Sequence, residues 1–283
     1  VMFISIILVL ISVIVIALGF FVYVLIITVK LPQGRAIEMI EKGRPKIGRL
    51  VACIGDSLTH GNLGVCWVNH LRHEFPNDKF LNEGINGDVV WQVHERLEPI
   101  LKCHPDVIIL MIGSNDAMGS FNKRSGEGYK KNNKLPEIPT FDAFKKLLPE
   151  LIDRLSEIPK LAICTLPPIG EYPGSTINQH IDKFNDFIKK TAQEKHISVL
   201  AVSDSMWDEL SNRTYPVKRN YNPKMMVIAK DIYGACIQHY IFKRAWDKIA
   251  ESRRNWLLFD QIHLGERGAR VIFNLAKEYI SKN

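Results

Sequence analysis

Residues 50–61 read LVACIGDSLTHG. The run Leu50, Val51, Ala52, Cys53 and Ile54 is unbroken and apolar, and it stops at Gly55, Asp56 and Ser57. Strands buried on both faces of a parallel sheet carry such continuous runs, whereas half-exposed strands alternate. A strand of this kind ends at the carboxyl edge of the sheet, where open α/β sheets bind their ligands. The stretch therefore delivers Ser57 to that edge. A serine there acts as a nucleophile only with a base, a group that orients the base, and donors for the developing oxyanion. Those parts have to come from the rest of the chain.

Further apolar runs follow at 79–82, 107–112, 161–165 and 198–202. Between the runs lie segments of helical periodicity at 65–74, 89–102, 141–157 and 177–196. A closing helix is expected at 266–281, where Val271, Ile272, Leu275, Ala276, Tyr279 and Ile280 recur at helical spacing. Alternation of this type predicts a three-layer α/β/α sandwich with about five parallel strands. Two stretches stand outside it. Residues 117–140 are rich in Gly, Lys and Asn, contain Pro136 and Pro139, and read as a long loop. Residues 203–255 exceed one strand-to-helix connection and include an expected helix at about 223–253. Insertions of such length in a compact domain tend to be functional or disordered.

The N-terminus has a different character. Residues 1–29 hold no charged residue, and Ser5, Ser12, Tyr23 and Thr28 are their clearly polar side chains. As a helix rising about 1.5 Å per residue, this stretch exceeds a hydrocarbon core roughly 30 Å thick. A cleaved signal would carry a shorter apolar region, a basic start and small residues at its end. The expectation is a retained single-pass transmembrane anchor, a linker at 30–47 and a hydrolase domain at 48–283. Lys30, Arg35, Lys42, Arg44, Lys46 and Arg49 follow the span and favour a cytoplasmic domain. With no residues before the span to compare, the side of the membrane stays open.

The 283 residues are 46% hydrophobic and 24% charged, a globular composition. The net charge of +7, without a basic stripe, argues against nucleic acid and is compatible with anionic headgroups. Five cysteines, Cys53, Cys66, Cys103, Cys164 and Cys236, form no CxxC pair and suggest neither a disulfide framework nor a zinc site.

Candidate partners for Ser57 stand at later strand ends. Asp260 and His263 lie three apart in LLFDQIH, just before the closing helix. A carboxylate so placed can accept from the imidazole Nδ1–H and leave Nε2 to take the serine proton. Gly87, in LNEGINGD after the second run, lets backbone approach a ligand closely, and Asp88 reads as the N-cap of the next helix. Asn115, in GSND after the third run, offers a side-chain amide as a second donor. Each motif alone is as well explained by an ordinary turn.

Together they resemble the SGNH, or GDSL, hydrolase family. Its four blocks are matched in order by Gly55-Asp56-Ser57-Leu58, by Gly87, by Gly113-Ser114-Asn115-Asp116 and by Asp260 to His263, with Gly265 and Gly268 fitting the last. The resemblance covers about residues 48–281. It implies a flavodoxin-like sheet, Ser57 as nucleophile, His263 as base and Asp260 as its partner. It further implies an oxyanion hole from the N–H of Ser57, the N–H of Gly87 and the Asn115 side chain. No metal or organic cofactor is then needed.

The resulting expectation is a membrane-anchored serine esterase or lipase acting on a small-molecule, lipid or glycan ester. The alternatives are an O-acetyl esterase or acetyltransferase of cell-envelope polysaccharide and, from another class, a non-catalytic binding protein on the same fold. The two insertions would wall or lid the site, or pack on its flank. Lys123, Arg124, Lys130, Lys131 and Lys134 form either a solvated face or a contact for anionic groups. His70 and His73 lack a third ligand and read as surface residues, and Trp67 and Trp91 read as core or as lining of an acyl pocket.

Overall fold

The computed structural model describes residues 2–43 and 48–283, the side chains at 2–6, 9, 10, 13, 17 and 42 excepted. Before the sheet come α1 (Met2–Val29) and α2 (Ala36–Lys42). Strand β1 (Leu50–Gly55) leads through α3 (Ser57–His60) and α4 (Trp67–Glu74) to β2 (Lys79–Gly84). Helices α5 (Val90–Glu95) and α6 (Glu98–Lys102) lead to β3 (Val107–Met111). The chain continues through α7 (Ser114–Ser120), α8 (Lys123–Asn132) and α9 (Phe141–Arg154) to β4 (Lys160–Cys164), then α10 (Thr176–Glu194) and β5 (Ser198–Leu200). It closes with α11 (Val202–Leu210), α12 (Met225–Tyr240), α13 (Trp246–Ser252) and α14 (Glu266–Lys282).

The five strands form one parallel sheet in the order β2-β1-β3-β4-β5. Alternate residues of β1 face opposite layers, as the period of a strand requires. Leu50, Ala52 and Ile54 pack with Val93, Ile100, Phe144, Leu148, Ile181 and Phe184, whereas Val51 and Cys53 pack with Trp67, Leu71, Met206, Ile272 and Ala276. The sheet is thus covered by helices on both faces, as the unbroken apolar runs predicted. Successive connections depart from β1 toward opposite sides, first to β2 and then across to β3. That reversal opens a crevice at the carboxyl end of β1, the place where ligands bind in this topology.

Several elements differ from the sequence reading. The expected loop at 117–140 holds α8, whose start is capped by the Asn122 side chain accepting from Ser125 N–H at 3.0 Å. The expected helix at 89–102 is two, because Pro99 can sit only in the first turn of α6. Asp88 does not cap α5. Val89 holds that position, and the Asp88 carboxylate pairs with Arg96 at 2.7 Å. The helix expected at 223–253 is broken between α12 and α13, where Lys243 takes a positive φ of 54°. The last strand is short, and α11 begins within the stretch read as its end.

Among the described residues no helix is long and apolar enough to cross a membrane. The expected anchor at 1–29 extends over residue 1 and over the side chains at 2–6, 9, 10, 13 and 17, which lie outside the described residues. Backbone α1 runs for 28 residues, and its final turns dock on the domain. Val24 is buried with Ala235, Cys236, Trp246 and Phe259, and the Phe21 and Tyr233 rings lie 6.1 Å apart. The expected linker at 30–47 contains α2, fastened by Arg35 to Glu83 at 2.8 Å and by the Ala36 N–H to the same carboxylate at 2.6 Å. Its residues 44–47 lie outside the described residues.

Candidate active site

Ser57 opens α3 directly after β1, and the preceding Asp56 side chain accepts from Leu58 N–H at 2.9 Å to start that turn. The turn packs against the end of β2, where a Cβ on Gly84 would lie 2.0 Å from the His60 nitrogen. Only glycine permits that approach. The segment 257–264 returns over β1 after α13, with Leu258 and Leu264 bridged across it. It carries Asp260 and His263.

The structure brings these residues together. The Ser57 Oγ lies 3.0 Å from His263 Nε2, and His263 Nδ1 lies 2.6 Å from Asp260 Oδ2. Asp260 Oδ1 accepts from the backbone N–H of Ile262 and His263 at 2.9 and 2.7 Å, so the loop folds around its own carboxylate. Burial alone would raise the Asp260 carboxyl; the neighbouring His263 charge and these hydrogen bonds outweigh it and hold the carboxyl below its ordinary range. In the tautomer that donates Nδ1–H to Asp260, Nε2 is an acceptor facing the Ser57 hydroxyl. All three side chains are buried.

Gly87 and Asn115 line the same pocket as Ser57 and His263, which encloses about 160 Å³. Gly87 has φ of +83°, and its N–H has no hydrogen-bond partner among the described residues. The Asn115 amide is fixed from both ends. Its Oδ1 accepts from the Tyr129 hydroxyl at 2.8 Å, and its Nδ2 donates to the Asp88 carbonyl at 2.9 Å. The second Nδ2 hydrogen is left for a ligand. Asn133 donates to the Gly87 carbonyl at 2.7 Å and so pins the loop that presents the Gly87 N–H.

Tyr129 and Asn133 were not foreseen from sequence, because they lie on and after α8 in a stretch that reads as a loop. The Asn122 cap and a lone aromatic in a polar run were the available signals. Glu171 gave none. It is buried, and its two oxygens accept from the N–H groups of Leu257 and Leu258 at 2.6 and 2.8 Å, and from Trp256 at 2.7 Å. Arg213 adds an ion pair at 2.9 Å. One carboxylate thus holds the segment that leads into Asp260 and His263.

Both insertions border the pocket. Met118, Tyr129 and Asn133 come from the first, and Met225, Ile228 and Ile232 on α12 from the second. Other candidates lie elsewhere. Trp67 is fully buried in the core and donates to the Leu58 carbonyl at 3.0 Å. Trp91 lines a separate cavity of about 290 Å³ beside Leu135 to Pro139. His70 and His73 are exposed, and among the described residues no cluster is placed to hold a metal. Lys123, Arg124, Lys130, Lys131 and Lys134 are all exposed, which matches a solvated face. The five cysteines are free, and burial pushes the Cys53 and Cys164 thiols up and makes them inert.

Comparison with curated proteins finds no match. Among solved structures the chain is similar to a catalytic mutant of Axe2, an acetylxylan esterase from Geobacillus stearothermophilus, at 17% identity and a TM-score of 0.59, over 83% of this chain and 96% of that one. Axe2 without that mutation gives a TM-score of 0.57 at the same identity and coverage. The α/β hydrolase LAE5 from the metagenome of Lake Arreo, Spain, gives 0.55 at 19% identity, over 83% and 95% of the two chains. At such identities the likeness carries the fold alone. The family model described as GDSL-like lipase/acylhydrolase matches residues 53–271, from within β1 into α14. On that match the chain belongs to the GDSL-like lipase/acylhydrolase family and is an ester-hydrolysing serine hydrolase.

Proposed function

We propose that the protein hydrolyses carboxylic esters through an acyl-enzyme formed on Ser57. The observation that carries this reading is the hydrogen-bonded line from Ser57 Oγ through His263 to Asp260, at 3.0 and 2.6 Å. Ser57 Oγ attacks the ester carbonyl carbon as its proton passes to His263 Nε2. The carbonyl oxygen, now negative, accepts from the N–H of Ser57, the N–H of Gly87 and the free Nδ2–H of Asn115. Collapse breaks the bond to the alcohol, which leaves with the proton from His263. Water then attacks the acyl carbon, gives its proton to His263, and releases the acid as the proton returns to Ser57. Asp260 holds the imidazole in the required tautomer throughout.

The domain works beside a membrane in this reading, with α1 as a single-pass anchor. Its support is a backbone helix of 28 residues without a charged residue in its sequence, and exposed side chains at Ile11, Ile14, Val15, Ile16, Leu18, Phe20 and Phe21. Counted over its whole sequence, with the side chains outside the described residues included, the helix exceeds the roughly 20 apolar residues that a span needs. Fractionation of the full chain in alkaline carbonate tests this: retention in the membrane pellet is expected, and complete release contradicts it.

A second reading, removal of acetyl groups from a carbohydrate, is favoured by the small size of the catalytic pocket and by the acetylxylan esterase named among the similar structures. Comparing p-nitrophenyl acetate, an acetylated xylooligosaccharide and p-nitrophenyl dodecanoate separates the two. The Ser57→Ala variant is expected to lose all three activities with its fold intact, and undiminished hydrolysis by that variant sinks both.

A further inference from the structure

The last carbonyls of α1 are taken by the two segments that carry Ser57 and Gly87. Asn62, in the loop that follows Ser57 and α3, donates to the carbonyls of Ile27 and Thr28 at 3.1 and 2.7 Å. Asn86, next to Gly87, donates to the Thr28 carbonyl at 2.9 Å and to Asn62 Oδ1 at 3.1 Å. His60, the last residue of α3, donates from Nε2 to the Lys30 carbonyl at 2.9 Å. A carbonyl only accepts, so these bonds settle which end of each amide faces the helix. A helix leaves its final carbonyls without intrahelical partners, and here side chains from the catalytic loops supply them. Tyr240 of α12 closes the arrangement, its hydroxyl donating to the Asn62 carbonyl at 2.5 Å.

Asn86 and Gly87 are the central residues of a turn closed by the Asp88 N–H and the Ile85 carbonyl at 3.2 Å. The Gly87 φ of +83° is the value that the third position of a type II turn requires. The peptide that joins the two residues contains the Gly87 N–H, so the place of Asn86 decides the place of that donor. The turn is held on two sides. Asn133, after α8, donates to the Gly87 carbonyl at 2.7 Å, and the Asn86 side chain is fastened to the Thr28 carbonyl. The Ser57 segment is fastened to the same helix end through Asn62 and His60, and the Asn62–Asn86 bond joins the two loops directly. The separation of the Ser57 and Gly87 N–H groups is thus set against one support. Oxyanion donors work only within about 2.7–3.1 Å of the oxygen they hold, so that separation bears on the rate.

We propose that Asn62 and Asn86 are positioning residues of the oxyanion hole, and that the end of α1 is the fixed post against which they hold the Ser57 and Gly87 N–H groups. The inference rests on the Ser57 reading above and adds to it a helix that precedes all four catalytic blocks in the chain. Both hydrogens of the Asn86 amide are taken, by Thr28 and by Asn62, so Asn86 acts through the Gly87 backbone and is not itself a donor to the oxyanion. Asn62 acts in the same way on the segment that begins at Ser57.

The test uses the full chain in detergent and two variants. Asn86→Ala frees the Gly87 turn from both α1 and Asn62. Asn62→Asp still accepts from Asn86 but has no hydrogen to give the Ile27 and Thr28 carbonyls, so it loosens the Ser57 segment from α1 while leaving the two loops joined. With p-nitrophenyl acetate, kcat is expected to fall about tenfold or more in both variants, with KM within about twofold of the parent. Inhibition by trifluoroacetone supplies a readout that a smaller folded fraction would not move. Ser57 Oγ adds reversibly to its ketone carbon, the proton passes to His263 Nε2, and the ketone oxygen becomes an anion held by the same donors. The inhibition constant should rise by the factor by which kcat/KM falls. An unchanged constant in a slowed variant overturns the proposal, as does a parent-like kcat in Asn86→Ala. A parent-like kcat in Asn62→Asp overturns the role of α1. Should one variant not fold, the other carries the same reading. Failure of the Ser57 reading looks different, since Ser57→Ala would then still hydrolyse p-nitrophenyl acetate.

Discussion

At the scale of single residues, the site is a set of groups each held by a neighbour that does no chemistry. Asn115 is the clearest case, because an amide can flip and offer the wrong end to an oxyanion. The Asp88 carbonyl, which can only accept, holds Nδ2 and prevents this, and the Tyr129 hydroxyl completes the pairing by donating to Oδ1. Asn115→Ala should remove roughly 2–4 kcal/mol of transition-state stabilisation, read as a drop in kcat with little change in KM. Tyr129→Phe should lower kcat about two- to tenfold, the value of one hydrogen bond. The double variant should be no slower than Asn115→Ala, because Tyr129 acts through that amide. A further loss in the double variant would mean that Tyr129 has a separate role. Glu171 is a comparable positioning residue on the base side, since its carboxylate replaces the strand that segment 256–258 lacks.

At the scale of elements, strand ends are tied to one another by a buried charge network. Arg96 on the loop after α5 pairs with Asp88 at 2.7 Å and with Glu83 at 3.4 Å, and donates to the carbonyls of Gly55 and Glu83 at 3.1 and 2.9 Å. It thereby clamps the ends of β1 and β2, which carry Ser57 and Gly87. Arg96→Met should cost about 3–5 kcal/mol of stability, because two buried carboxylates lose a partner. Chemical denaturation measures this, and a loss under about 1 kcal/mol would contradict the clamp. Elements were legible in the sequence to different degrees, for physical reasons. The strands showed because burial on both faces leaves an unbroken apolar run, as in Val107 to Met111. Helix α8 did not, because Lys123, Arg124, Lys130 and Lys131 face water and mask its period. Ser57, Gly87 and Asn115 stood out as motifs after strand ends, whereas Asp260 and His263 stood out as a pair just before the closing helix and follow no strand of the sheet. Tyr129, Asn133 and Glu171 act across the fold, through contacts that no local pattern encodes.

At the scale of the whole molecule, the crevice gathers carboxyls that burial makes harder to ionise. Burial pushes Asp56 and Asp116 from 3.8 up to about 7. Between those values the folded protein binds more protons than the unfolded chain, so these groups make stability fall as pH rises from about 4 to about 7. Asp260 acts in the opposite sense. Its stabilisation is present above the ordinary carboxylate pKa and is lost as pH falls through its lowered value. Asp116→Asn keeps an acceptor for the Val90 N–H and removes the titration. Its melting temperature should decline less than the parent's between pH 4 and pH 7, and an unaltered slope would contradict the assignment.

The central claim, that Ser57 is a nucleophile activated by His263, is tested most directly by labelling the full chain with a fluorophosphonate and locating the adduct by peptide mass spectrometry. The account predicts a single adduct on Ser57 in the parent and loss of labelling in His263→Ala with the fold retained. An adduct at another residue, or equal labelling of Ser57 without His263, would contradict it.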